Sequence, residues 1–369
     1  MRVIFRVDAS LDIGTGHVMR CIALAGELKK RKFDVTFITR DIKGHLCRII
    51  KQVGFKNIIL QASNKVAKNK ECDLPHAHWM SVTWREDAEE TLYAIGNEIC
   101  DWLIVDHYAI DYRWHQVLRS KSKKIMVIDD LANRKLDCDL LLDQNFYLEP
   151  LIRYKKLIPH KCLALLGPKY MLLREEFLQK KLLRNNLKKD RVNILVFMGG
   201  ADFTNETAKV IQALDAIKGF EFHANIIVGD TNIFVPTIRS MCNKRGYITL
   251  YQNISNISDL CRCSDIAVGA GGVATLERCF MGLPSLVMLT ADNQVETTLA
   301  LDKVGAIKCI GWHNENDHST ISRAILLFLK NLNILKSMSA ASKKIFEKDN
   351  FCGVNGIVNI IENVSFSKD

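Results

Sequence analysis

No apolar run in this chain approaches the roughly 18 residues that a membrane-crossing helix requires; the runs are short, such as "NILVFM" at 193–198. No span is therefore expected. The first apolar run carries Arg6 and Asp8 and is followed by no small-residue cleavage site, which argues against a secretory leader and for the cytoplasm. Twelve cysteines contain no C-x-x-C pair, the closest two being Cys261 and Cys263. That spacing excludes a cysteine zinc cluster or a disulfide framework and reads the thiols as reduced and mostly buried. "PHAHW" offers His76 and His78 as two metal ligands without a visible third, so a plain loop is the stronger reading and no metal is expected. The net charge of +10 is compatible with nucleic acid, a membrane surface or an anionic small substrate. The lysine clusters "ELKKRK", "KSKK", "RYKK", "LKKDR" and "SKKIFEK" have few aromatics interleaved, as solvated helix faces do, so nucleic acid is not expected as a partner.

What the chain does have is length and alternation. At about 150 residues per domain, its 369 residues predict two domains, and 48% hydrophobic with 25% charged residues is ordinary globular usage. Short β-branched or leucine-rich runs recur between helix-like stretches, the pattern of a parallel sheet buried on both faces. One series comprises "RVIFRV", "DVTFIT", "WLIVDH", "KIMVID" and "LLLDQN"; a second runs "VNILVFMGG", "HANIIVG", "YITLYQ", "DIAVGAGG" and "PSLVML". Between them "QKKLLRNNLKKDR", residues 179–191, is charged and weakly periodic, the natural linker. The expected fold is α/β, two doubly wound Rossmann-like domains facing a cleft, one over 1–178 and one over 192–369. Ligands then belong at the loops that follow the strands. The stretch "ISRAILLFLKNLNILKSMSAASKKIFEK" reads as helix whose apolar stripe serves the core rather than a partner.

Four pieces carry candidate chemistry. In "DIGTGHVMRC" Gly14, Thr15 and Gly16 follow a strand and open a helix, letting a bound anion approach backbone N–H groups. The third glycine of a dinucleotide fingerprint is missing, which weakens a nicotinamide reading. His17 falls in the first turn, where the helix dipole favours the neutral imidazole, a base; a capping or packing histidine is the competing reading, and spacing alone does not choose. In "VGAGGVATLERCFMGLP", Gly271, Gly272 and Val273 can present successive N–H groups to a diphosphate, and Glu277, one turn on, can accept from a ribose diol. A first-turn glutamate that merely favours the dipole is the alternative. In "MLTADNQVETTLA", Asn293 and Gln294 can read sugar hydroxyls or acetamido groups, or Asp292 or Asn293 can simply cap the helix. "IVDHYAID" places Asp106, His107 and Tyr108 just past a strand, where a phenol can orient a water or a sugar hydroxyl.

In this order, "FRVDAS" with "IGTGHVMRC", "VDHYAID", "VIDDLANRKLDCDLLLDQN", "LGPKYMLLREEF", "FMGGAD" and "GGVATLERCFMGLP" with its "NQ" pair resemble the UDP-sugar hydrolases of pseudaminic acid biosynthesis. Those enzymes act on UDP-2,4-diacetamido-2,4,6-trideoxy-β-L-altropyranose. The resemblance covers most of the chain and implies the two-domain fold of B-type glycosyltransferases. It implies UDP on the C-terminal half, with diphosphate at Gly271 to Val273, ribose at Glu277 and uracil against backbone near Ile254 to Ile257. It also implies His17 as general base and Tyr108, Asn293 and Gln294 near the sugar. The reaction implied is attack of water on the anomeric carbon, inversion and departure of UDP, with no metal or cofactor and no obligate protein partner. Asp8 is expected to orient His17 or Arg20. The segment "KNKECDLPHAHWMSVTWREDAEETLYAI" matches no motif of that family, and the C-terminal motifs also suit glycosyltransferases that make lipid-linked peptidoglycan precursors. A glycosyltransferase using a UDP-N-acetylated sugar is therefore the competing activity, and a nucleotide-sugar-binding protein without catalysis a third reading.

Overall fold

The computed structural model describes residues 1–63, 74–180, 191–252, 254, 256–347 and 351–366. Strands β1 (Arg2–Val7), β2 (Asp34–Arg40), β3 (Lys56–Leu60), β4 (Cys100–Asp106), β5 (Ser122–Ile128), β6 (Leu140–Asp143) and β7 (Leu163–Leu166) form one sheet in the order β3-β2-β1-β4-β5-β6-β7. Strands β8 (Val192–Phe197), β9 (Phe222–Val228), β10 (Ile248–Gln252), β11 (Ile266–Ala270), β12 (Ser285–Leu289) and β13 (Lys308–Trp312) form the other, ordered β10-β9-β8-β11-β12-β13. Adjacent strands in both are parallel. The central strands are apolar on both faces because helices cover both: Phe5, Phe37 and Ile104 face one layer, and Ile4, Leu103 and Val105 face the other. These are the two doubly wound sheets the alternating runs predict.

In each sheet the strand order reverses once, between β1 and β4 and between β8 and β11, and a reversal leaves a crevice at the carboxyl ends where ligands bind in such folds. His17 follows β1 and Asp106 ends β4; Gly199 follows β8 and Gly271 follows β11. Each reversal point is thus flanked by two of the sequence motifs.

The domain limits differ from the expected 1–178 and 192–369. The chain divides into one compact unit of Met1–Asn145, Glu149–Leu173 and Cys352–Asp369 and a second of Phe146–Leu148 and Arg174–Phe351. The last helix, Gly353–Phe366, joins the first unit because Val354, Ile357, Val358 and Ile361 are buried in the same core as Val18, Leu24 and Leu28 of the helix Gly16–Lys30. Arg31 pairs with Glu362 at 2.8 Å and the Trp102 indole N–H donates to Ser365 at 2.7 Å, fixing its register. Most of the expected linker, 181–190, lies outside the described residues. The helices His318–Lys330 and Leu332–Glu347 place Ile321, Ile325, Phe328, Leu335 and Met338 in the second core, as their stripe predicts. Among the described residues no single helix is long and apolar enough to cross a membrane.

Candidate functional site

The loop after β1 turns tightly because Ser10 does several jobs at once. Its hydroxyl accepts from the N–H groups of Asp12 and Ile13, its carbonyl accepts from Gly14 N–H at 2.9 Å, and Gly14 takes φ +77°, a conformation that favours glycine. The Gly14 N–H is therefore already engaged. The donors left for a bound anion are those that open the helix at Gly16 and His17, where no intrahelical acceptor exists. Thr15 is the N-cap but its side chain makes no capping bond.

His17 is buried, and its Nδ1 lies 2.6 Å from Asp106 Oδ1. Arg20, one turn further along the same helix, grips that carboxylate with Nε and Nη2, each at 2.6 Å. Burial alone raises the Asp106 carboxyl, but Arg20 and the His17 ring outweigh it and hold the group well below the usual carboxylate range. An ionised carboxylate only accepts, so at this distance Nδ1 must carry a hydrogen, and of the two neutral tautomers only the one with its lone pair on Nε2 fits. The Arg20 Nη2 to His17 Nδ1 contact of 3.2 Å then brings two donors together and is not a hydrogen bond. The geometry fixes one tautomer and leaves a single ring nitrogen able to take a proton.

Asp8 does not do this work. It lies after β1 on the far side of the strand from His17, where its carboxylate meets Arg6 at 2.7 Å, the Arg40 backbone N–H at 2.6 Å and His107 at 3.2 Å. Strand alternation explains the difference: Asp8 and His107 belong to a buried charge network with Arg6, Arg40 and Asp87. The partner of His17 and Arg20 is Asp106, from the adjacent strand.

Tyr108 is nearly fully buried, with its ring edge-on to His17 at 4.6 Å between centroids. Its hydroxyl donates to Asp130, which also receives Arg20 at 3.2 Å and Asn145 at 3.1 Å. Burial and the neighbouring Asp130 charge both raise the phenol well above its ordinary value. The ring, rather than a free hydroxyl, is what this tyrosine presents beside the imidazole.

In the second unit, Gly271 donates its N–H to Met288 O at 3.1 Å, so the loop offers Gly272 and Val273 at the start of the helix Val273–Phe280 rather than all three groups expected. Gly271 has another constraint: an added Cβ would stand 2.8 Å from both Cβ and Oε1 of Gln294 and 3.0 Å from Thr298 Oγ1. Gln294 itself turns back, its Oε1 accepting from Thr290 N–H at 3.0 Å, while Asn293 is exposed. Glu277 is buried and forked by Arg174, whose Nε and Nη2 reach it at 3.1 and 3.2 Å. Burial nonetheless keeps its carboxyl above the usual range, with Arg174 opposing that shift. Ile254 is half-buried between β10 and the helix Ile257–Cys263, and residues 253 and 255 lie outside the described residues. Glu176 accepts from the N–H and hydroxyl of Ser258 at 3.2 and 2.8 Å.

The structure thus joins His17, Arg20 and Tyr108 in one cluster and Gly271, Gln294 and Glu277 around one helix start. Sequence reasoning named Asp106 without its role and missed Asp130, Arg174 and Glu176. The signal for Asp130 is a second acidic residue just beyond a buried strand, in "VIDD". For Arg174 and Glu176 it is the charged "REE" that follows the apolar "YMLL".

No family model matches the chain. An uncharacterized protein of Methanocaldococcus jannaschii is 26% identical over 80% of this chain, which spans 57% of that relative's length. The UDP-2,4-diacetamido-2,4,6-trideoxy-beta-L-altropyranose hydrolase of Campylobacter jejuni is 26% identical over 83% of this chain and 97% of its own. Among solved structures, UGT89C1 of Arabidopsis thaliana in complex with UDP superposes with a TM-score of 0.68 at 14% identity, covering 99% of this chain and 100% of that one. CalG4, the calicheamicin glycosyltransferase, gives 0.61 at 11% identity over 98% and 97%. The chain is therefore a relative of the hydrolase its motifs resemble, and its two Rossmann-like sheets are those of the B-type glycosyltransferase fold.

Proposed function

We propose that this protein hydrolyses a UDP-linked diacetamido-trideoxy sugar, UDP-2,4-diacetamido-2,4,6-trideoxy-β-L-altrose, to free sugar and UDP in pseudaminic acid biosynthesis. His17 Nε2 removes a proton from water as it attacks the anomeric carbon; the carbon–oxygen bond breaks with inversion, and the electron pair leaves with the diphosphate. Asp106 holds the imidazole tautomer and balances the imidazolium that forms, and Arg20 fixes Asp106. A base so positioned contributes about 10² to 10⁴ in rate. On the second unit, the N–H groups of Gly272 and Val273 receive the diphosphate, whose charge grows as the bond breaks. Glu277 takes the ribose diol, and backbone near Ile254 takes uracil. Gln294 and Asn293 serve the sugar.

The observation that carries the reading is the 2.6 Å contact of His17 Nδ1 with Asp106, which leaves Nε2 as the base. It is supported by the alignment with the Campylobacter hydrolase over 97% of that protein. Reaction in ¹⁸O-labelled water tests it. Label in the sugar is the expected outcome; label in the phosphate would mean attack on phosphorus and would sink the scheme. A transferase is the second reading, supported by fold-level likeness to CalG4. Incubation with the UDP-sugar and no acceptor separates the two, since only the hydrolase releases free sugar at a turnover rate.

A further inference from the structure

The turn that carries "PHAHW" fits no part of the chemistry above, yet it ends beside the base. Residues Ala77–Met80 form one short 3-10 turn, closed by Trp79 N–H to His76 O at 3.0 Å. The turn is firmly held: Met80 and Val82 are buried in the first unit's core, and Thr83 and Glu86 form a capping box on the next helix. His76 and His78 belong to no group of three His, Cys, Asp or Glu side chains that could hold a metal among the described residues. Aromatic contacts take the place of ligation. The indole of Trp79 stacks on Tyr108 at 5.2 Å and 27°, stands edge-on to His17 at 6.0 Å, and is buttressed by His76 at 4.7 Å. His76 also reaches Tyr108 at 5.4 Å. Burial, then the nearby Arg134, lowers the His76 pKa, so the ring packs as a neutral aromatic.

Two features distinguish this indole from those of Trp102 and Trp114, while Trp84, also in the core, shares only the lack of an acceptor among the described residues. Trp79 is half-buried, whereas Trp102 and Trp114 are fully covered. Those two donate their indole N–H groups to Ser365 and Asp87, while the indole N–H of Trp79 meets no acceptor among the described residues. An aromatic surface with an available donor, six ångströms from the base and held on a rigid turn, suits a ligand that has an apolar face and an acceptor together. An N-acylated deoxy sugar has both: ring C–H groups and methyls, and the amide carbonyl.

We propose that Trp79, braced by His76 and Tyr108, is a positioning residue that seats the sugar for attack, its indole against the apolar sugar face and its N–H toward an N-acyl carbonyl. This rests on the reading of the protein as a UDP-sugar hydrolase. The test compares wild type, Trp79→Phe and Trp79→Ala. It measures release of free sugar from UDP-2,4-diacetamido-2,4,6-trideoxy-β-L-altrose and calorimetric affinity for UDP. Trp79→Ala should raise KM roughly tenfold, the scale of one lost aromatic contact, with UDP affinity within twofold of wild type, and Trp79→Phe should recover part of the loss. Unchanged KM and kcat in Trp79→Ala, with wild type active, would overturn the positioning role and leave the hydrolase reading standing. If wild type releases no sugar while still binding UDP, the hydrolase reading fails, and the seat for that sugar falls with it. Loss of UDP affinity in Trp79→Ala would mark a structural role instead, and matched melting curves of the two variants check this.

Discussion

Five of the seven strands of the first sheet end in buried charge, and three of the six in the second end in glycine. Asp8, Arg40, Asp106, Asp129 and Asp143 stand at or just past the carboxyl ends of β1, β2, β4, β5 and β6, each at most 1% exposed. In the second unit the corresponding positions after β8, β9 and β11 are Gly199, Gly229 and Gly271. Gly229 and Gly271 allow close approach, since a Cβ on Gly229 would collide with Gly200 O, whereas Gly199 supplies a backbone at φ +92°. Under the proposed function, one topology serves two tasks. A proton-transfer site needs a side chain whose tautomer is fixed, and fixed charges supply that. A diphosphate site needs open N–H donors, and these require the absence of side chains.

The sharpest way to break this contrast is to remove the charge on the first unit. Asp106→Asn should lower kcat by roughly 10³ to 10⁴, the scale of losing the group that fixes a catalytic imidazole, while calorimetric affinity for UDP stays within twofold. A variant with near-normal turnover would show that Asp106 serves folding only. The reciprocal change on the second unit is Gly271→Ala. Its Cβ meets Gln294 and Thr298 at 2.8 to 3.0 Å, and overpacking of about 1 to 3 kcal/mol should weaken UDP roughly tenfold or more, leaving the pH dependence of turnover unaltered.

Smaller still is the effect of Arg174→Met. Burial holds the Glu277 carboxyl above its usual range and Arg174 opposes that. Binding that uses the ionised carboxylate is present above this raised pKa and is lost as pH falls through it. Without Arg174 the loss should begin at higher pH, with affinity down by up to roughly tenfold, one charged hydrogen bond. Titrating UDP from pH 5 to pH 8 checks the direction; a shift of onset to lower pH would contradict it. Least of all should the helix caps matter to activity: Asp317→Ala removes the acceptor of Thr320 N–H at 2.7 Å and is expected to lower stability by about 1 kcal/mol, read from chemical denaturation, with kcat/KM unchanged.

The sheets were legible where strands are central and doubly buried: "RVIFRV", "WLIVDH" and "DIAVGAGG" became β1, β4 and β11. The runs that escaped reading are edge strands: "KNIIL" of β3, "LALL" of β7, and "KCIGW" of β13, which is interrupted by Gly311 at φ +91°. Edge strands are covered on fewer sides, so their apolar signal is weak. The last helix went to the wrong domain because its stripe declares burial but not against which core. The site shows the same limit. Glycine turns and His17 stand out along the chain, but Asp106 lies 89 positions from His17, and only the neighbouring of β1 and β4 brings it there. Asp8 was nearer in sequence and on the wrong side of the strand.

The division of labour between the units is tested most directly by the single-turnover rate of sugar release from the UDP-diacetamido sugar by His17→Asn at saturating substrate. The variant should hold UDP as wild type does and release sugar at least 10² more slowly, the lower bound of what a positioned base contributes. Sugar release at the wild-type rate would contradict that division.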